Sequence, residues 1–189
     1  MAGPEMYSIS RSEYYLMGDI GILSEGDRTE LIDGVVFVKE PIGPWHASTV
    51  DLLSEAFAPI RSLAAQRIQN PVTLTEFSEP QPDFSLLRPP LRRYRETHPT
   101  PADILLAVEV ADTSRVFDRD TKRPLYARAG IREYWIIDRH DDCVEVARDP
   151  ESDGYRTVRS VGRGETLTLL AFPGFNVPAD AILGPVPTP

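Results

Sequence analysis

Three side chains stand out for the chemistry they could do: Glu109, Asp83 and Lys122. Glu109 is the anomaly. It sits inside ILLAVEV at 104–110, a continuous apolar run. A carboxylate buried there without a partner costs several kcal/mol. Either it reaches an exposed strand end, or something pairs with it: an arginine or a divalent metal. Asp83 follows Pro82 at the head of a second apolar stretch, and proline is well placed at a strand start. Alone, a Pro-Asp pair reads equally as a turn. Two carboxylates and a backbone carbonyl form a hard oxygen site suited to Mg²⁺. Lys122 is one of only two lysines, the other being Lys39, against eighteen arginines. A compact ammonium can sit beside a water and have its pKa tuned, which arginine cannot; an exposed helix lysine is the plain alternative.

The charge distribution supports a polyanionic partner only locally. The chain carries −9, which argues against loose binding of nucleic acid. Residues 88–132, however, hold ten of the twenty basic side chains and six acids, for a local +4 around the three residues above. A solvated basic loop and helix face would give the same count.

The elements that must position these residues can be read from spacing. At 189 residues and 41% hydrophobic content, one packed core is expected. Ser10-Arg11-Ser12-Glu13 is a capping box that opens a short helix to Met17, and residues 18–26 form a loop. Residues 28–40 predict a hairpin around Asp33-Gly34. A helix spans 45–65, with Val50, Leu53, Phe57, Ile60 and Ala64 inward and a kink or early end at Pro59. Strands follow at 68–77 and 82–87, then a Pro- and Arg-rich loop at 88–101. The run at 104–110 reads as a central strand buried on both faces. A second helix begins near Asp120, or is distorted by Pro124 if it begins earlier, and ends at Ala129-Gly130. Residues 133–138 form another buried strand, and 143–148 with 155–161 a hairpin around Asp153-Gly154. A short strand and a Pro-rich end complete the chain from Leu167. This order is that of a mixed α/β sandwich.

ELIDG at 30–34, Trp45-His46, Gln81-Pro82-Asp83, VEV at 108–110, Asp118-x₃-Lys122-x₃-Tyr126 and AGIREYWIID at 129–138 occur in one order and spacing. Together they resemble the Uma-two branch of the PD-(D/E)XK nuclease superfamily, whose members are restriction-endonuclease-like, over about Ser8 to Leu183. The resemblance implies a restriction-endonuclease-like PD-(D/E)XK core, a mixed β-sheet flanked by helices, with an additional C-terminal hairpin. It implies a single nuclease-like domain over 1–189, with its core at 8–183 and a flexible tail at 184–189. It assigns Asp83 and Glu109 as ligands of Mg²⁺ or Mn²⁺, Lys122 as the catalytic lysine and Glu30 as a further catalytic acid. Two departures stand out. Ala111 occupies the position where the wider E-x-K pattern has lysine, and the branch supplies that lysine from the next helix, as Lys122 would. Ala111-Asp112-Thr113-Ser114 replaces a common Ser-Pro pair.

The implied function is metal-dependent endonucleolytic hydrolysis of phosphodiester bonds, with DNA as the substrate. Around the metal, His46, Asp118 and Tyr126 are candidates for a supporting layer, and Arg92, Arg93, Arg95 and Arg119 for phosphate contacts. A homodimer is expected for cutting both strands, with EYWIID and the N-terminal helix as interface or core. The lone Cys143, the lack of a signal-like N-terminus and the lack of a membrane span fit a cytoplasmic protein. A nuclease fold that binds or assembles without cutting is the main alternative; a defence protein with a tight pocket is another. Dinucleotide-binding and α/β-hydrolase readings lack their glycine motifs.

Overall fold

Ser10 Oγ accepts the Glu13 N–H at 3.4 Å, and the Glu13 carboxylate takes the Ser10 N–H at 2.8 Å. Helix α1 (Arg11–Asp19) therefore starts where the capping box predicts. The structure is a computed structural model and describes residues 6–24 and 26–185. Strands β1 (Thr29–Ile32) and β2 (Val35–Val38) pair antiparallel as a separate two-stranded hairpin, with Ile32 opposite Val35. Asp33 and Gly34 turn at φ 48° and 78°, the two positive values that a type I′ turn needs.

Helix α2 (Pro44–Ala56) buries Val50 and Leu53, and a 3₁₀ turn at Ala58–Ile60 closes it. The expected helix to residue 65 is thus cut short at Pro59, which has no N–H to extend the ladder. Ala65 instead opens β3 (Ala65–Ile68), so the strand expected at 68–77 lies earlier. The segment that follows folds back on itself. Gln69 has φ 50°, and the Val72 and Leu74 N–H groups reach the carbonyls of Pro80 and Ser78 at 3.0 Å each. Val72 and Leu74 are buried as their alternation requires, but without a strand partner.

The main sheet runs β3–β4–β5–β6–β7–β8, adding β4 (Phe84–Leu87), β5 (Ile104–Ala111), β6 (Glu133–Asp138), β7 (Cys143–Pro150) and β8 (Tyr155–Gly162). β5 and β6 are parallel and every other neighbour pair is antiparallel. This is the expected mixed sheet flanked by helices, with the C-terminal hairpin as its far edge. On one face, Leu106, Val108 and Val110 pack with Trp135, Leu53 and Phe57. On the other, Ala107 and Ala111 pack with Leu125, Tyr126 and Tyr134. Glu109 alternates onto this second face. All of β6 is buried and hydrogen-bonded on both sides, so EYWIID is core and not an interface. Helix α1, by contrast, has no buried residue and exposes Tyr15 and Leu16.

The crossover from β5 to β6 is helical but irregular: α3 (Arg115–Phe117), a π turn (Asp118–Lys122) and α4 (Arg123–Arg128). The Arg123 N–H reaches back five residues to Asp118 O. Pro124 explains the widening, because it cannot donate to Asp120 and its ring crowds that carbonyl. Gly130, at φ 78°, ends the run as expected. The C-terminal part holds more order than its sequence suggests. β9 (Thr166–Thr168) pairs with β10 (Asn176–Pro178), and α5 (Ala179–Leu183) buries Ile182 and Leu183 in the α2 cluster. Of the tail expected to be flexible, the Gly184 N–H bonds Asp180 O at 3.1 Å, and residues 186–189 lie outside the described residues. No helix among the described residues is long and apolar enough to cross a membrane.

Gly34 anchors the first hairpin: its N–H bonds Phe77 O at 2.8 Å, and a Cβ there would sit 2.5 Å from the Ser8 Cβ. Gly34→Ala combines that clash with a left-handed φ, so urea denaturation is expected to register a loss of about 2 kcal/mol or more.

Candidate active site

Asp83 is placed by a proline and an unfinished ladder. β4 pairs with β5 as far as Phe84 opposite Val108. Two residues further the ladder would set Pro82 against Val110, and proline has no N–H to give. Asp83 takes over with its side chain, Oδ2 accepting the Val110 N–H at 2.9 Å. Its other oxygen, Oδ1, lies 3.1 Å from His46 Nε2 and 3.9 Å from Lys39 Nζ. Both Oδ1 and His46 Nε2 are buried, and the contact is too poorly aligned to be a hydrogen bond for either.

Glu109, next on β5, is 1% exposed. Its Oε1 accepts the Tyr126 hydroxyl at 3.0 Å and faces Lys122 Nζ at 3.1 Å. The same ammonium lies 3.1 Å from Glu30 Oε1 and 3.9 Å from Asp118 Oδ1. Asp118, Lys122 and Tyr126 stand four apart along the crossover, a spacing that shares one helix face; Lys122 and Tyr126 meet Glu109 of β5, and Asp118 meets Lys122. Glu30 arrives from the β1–β2 hairpin, its Oε2 accepting the Gln81 N–H at 3.1 Å. Ser114 Oγ donates to Asp118 Oδ2 at 2.5 Å. The sequence-predicted Glu30, Asp83, Glu109 and Lys122 thus come together, with His46, Asp118 and Tyr126 beside them.

The electrostatics divide the acids. Burial pushes Asp83 upward, but His46, Lys39 and Lys122 outweigh it and hold the carboxyl well below the ordinary range. Burial raises Glu109 well above the carboxylate range; Lys122 offsets this in part, while Asp83 and Asp118 add to it. Asp118 is raised by burial too, against Lys122 and the Ser114 hydrogen bond. For Lys122, burial alone would lower the pKa, yet Glu109, Glu30, Asp118 and Asp83 carry it far above the usual lysine value. The surrounding carboxylates favour its charged form.

These groups line one cavity of about 450 Å³, walled by Phe37, Phe117 and the 39–43 and 112–114 loops. The Thr113 hydroxyl donates to Glu40 Oε2 at 2.7 Å across its rim. Four buried carboxylates face two lysines. With Asp83 Oδ1 lacking a hydrogen bond and the Glu109 partners both on Oε1, the site suits one further hard cation held by Asp83 and Glu109.

The arginines expected at phosphate do not line this cavity. Arg119 is turned away to Asp138 at 2.7 Å and to Asp141 and Glu145. Arg93 pairs with Asp103 at 3.1 Å, and Arg95 with Glu96 at 3.7 Å. Arg95 also lines a second cavity, with Tyr15, Tyr94 and His98. Among the described arginines, Arg28 is the one at the main cavity. Asp138, Asp141 and Glu145 have oxygens within 4.8 Å of one another, but Arg115, Arg119 and Arg123 bridge them, so this trio is an ion-pair network. Sequence reasoning missed Lys39 and Gln81. The scarcity of lysine pointed to Lys39 as much as to Lys122, but nothing local tied it to Asp83.

Residues 11–180 match the Uma2 family, described as "Putative restriction endonuclease". No curated protein matches the chain. Among solved structures, a protein from Anabaena variabilis ATCC 29413, described as "a putative nuclease belonging to DUF820", superposes with a TM-score of 0.66 at 14% identity, over 93% of this chain and 97% of that one. This likeness establishes the fold, a restriction-endonuclease-like mixed sheet between helices.

Lys122→Met would leave Glu30 and Glu109 without the cation they share. At neutral pH the expected loss is about 3–5 kcal/mol in urea denaturation. The loss should shrink toward pH 5. Glu109 has a raised folded-state pKa, so its protonated, uncharged form favours the fold at low pH, and this contribution is lost as pH rises through that pKa.

Proposed function

The chain belongs to the Uma2 family, and from that premise we propose that it is a metal-dependent endonuclease that hydrolyses phosphodiester bonds of DNA. What supports the reading above all is Lys122, buried between Glu30 and Glu109 beside an Asp83 oxygen that lacks a hydrogen bond. Asp83 and Glu109 would hold Mg²⁺ or Mn²⁺. When bound, the ion supplies Lewis acidity toward a phosphate oxygen and toward water.

The chain's own residues do the rest. The Val110 N–H holds Oδ2 of Asp83, and the Tyr126 hydroxyl holds Oε1 of Glu109, which leaves Asp83 Oδ1 and Glu109 Oε2 for the cation. Glu30 fixes Lys122, whose charge orients the attacking water and offsets the negative charge that builds on phosphorus. A water oxygen bonds to phosphorus and one phosphorus–oxygen ester bond breaks. The water gives up one proton and the departing oxygen takes one, leaving a phosphomonoester and a hydroxyl end. Cutting both strands of a duplex would use two copies, with the exposed side of α1 available for pairing.

Supercoiled and single-stranded DNA incubated with Mg²⁺ or Mn²⁺ should be cleaved by the wild type. Asp83→Asn, Glu109→Gln and Lys122→Ala should each lower the rate by about 100-fold or more, provided circular dichroism finds them folded. Wild type without cleavage under either metal would overturn the endonuclease reading.

Binding of Mn²⁺ should tighten as pH rises, because the ion displaces the proton that Glu109 holds through its raised pKa. Calorimetry in two buffers of different ionisation enthalpy should detect the released proton. A pH-independent affinity between pH 5 and 8 would show that the ion displaces no proton there.

A further inference from the structure

The two lysines at the site are not equivalent. Lys122 faces three carboxylates, two of them at 3.1 Å, and its side chain is 3% exposed. Its charge is fully engaged inside the protein. Lys39 lies beside Asp83, on the segment leaving β2. Its Nζ donates one hydrogen bond, to Gln81 O at 2.8 Å, and stays 3.9 Å from Asp83 Oδ1. An ammonium has three donors. One is committed, so two are free, and the side chain is 14% exposed and lines the cavity.

The backbone fixes this placement. The Lys39 N–H bonds Arg28 O at 2.6 Å, which continues the β1–β2 pairing one step beyond Thr29 opposite Val38. Lys39 is therefore held by the hairpin at one end and by Gln81 at the other, with a compact charge directed into the cavity.

Charge points the same way. Glu30, Asp83, Glu109 and Asp118 are buried, against Lys39 and Lys122. The buried acids outnumber the lysines, which suits a single divalent ion held among them. A phosphodiester entering that site brings one more negative charge; Arg28 stands at the cavity wall with one guanidinium nitrogen on Glu40 O, and the free cationic donors beside Asp83 itself are those of Lys39.

Resting on the nuclease reading above, we propose that Lys39 is a catalytic residue: it binds a non-bridging oxygen of the scissile phosphate, the role that a second metal ion fills in two-metal sites. Lys122 then serves the water and the carboxylates, and Lys39 serves the phosphate.

The test combines Mn²⁺ calorimetry with steady-state cleavage of a single-stranded oligonucleotide, on wild type, Lys39→Met and Lys39→Arg. One ion per chain is expected in all three proteins. Lys39→Met should bind Mn²⁺ several-fold more tightly, because a positive charge beside Asp83 is gone. Its kcat should fall by about 100-fold or more, as for loss of a donor to a charge that develops in the transition state. Lys39→Arg should recover part of that rate. Two ions per wild-type chain, or a Lys39→Met that cuts at the wild-type rate, would overturn the role of Lys39 and leave the nuclease reading intact. A wild type that binds one ion and cuts nothing overturns the nuclease reading, and this role with it. A Lys39→Met that loses Mn²⁺ binding along with cleavage marks Lys39 as merely structural and also overturns the proposal.

Discussion

Everything at this site depends on one buried ammonium. Lys122 is the cation that touches Glu30 and Glu109 together, and each comes from a different part of the fold: the first hairpin, the central strand and the crossover helix. Removing water from two carboxylates is costly, and their attraction to a shared cation must offset it. The ion pairs are therefore a condition for the hairpin and the crossover to pack on the same face of the sheet. The crossover helix carries that ammonium to the sheet despite its irregularity. The π turn ahead of Pro124 lets the helical path continue past the proline, so that Asp118, Lys122 and Tyr126, four apart, keep to one side.

The sheet contributes the rigid half. β5 pairs with β4 up to Val108 and with β6 from Ala107 to Ala111, and beyond Val108 its β4 neighbour runs into Pro82. The Asp83 side chain completes the ladder at Val110 and turns its second oxygen to the cavity. A single residue thus repairs a backbone defect and supplies an acid at the place where the defect opens the sheet. Functional groups cluster at such strand ends because the regular ladder on one side fixes them while the break on the other gives access.

The parts of this arrangement that were legible in the sequence were those with a local physical cause. Glu109 inside an apolar run demanded a partner, Asp33-Gly34 demanded a turn, and Pro59 and Pro124 demanded an early end and a distortion. Asp83 and Lys122 became candidates only through the resemblance to a family, because a Pro-Asp pair or a helix lysine has many uses. What stayed hidden depends on distant partners. Val72 and Leu74 alternate as a strand would, and alternation correctly predicts their burial; it cannot tell whether the backbone finds a neighbour, and here it bonds to Pro80 and Ser78. Arg119 looked free for phosphate because Asp138, Asp141 and Glu145 lie far along the chain. Lys39 meets Asp83 across 44 residues, and no spacing rule encodes that contact.

The first hairpin gives the molecule a further property. Glu30 and Lys39 stand near the bases of its two strands, and both reach the cavity, one with a carboxyl group and the other with an ammonium. Side chains alternate faces along a strand, so slipping the pairing by one residue would send Glu30 to the far side and draw Lys39 back from Asp83. The two-residue turn at Asp33-Gly34 forbids that slip by fixing Ile32 against Val35. A turn that lines no part of the cavity therefore sets the polarity of its floor, and the hairpin acts as a template on which opposite charges are spaced.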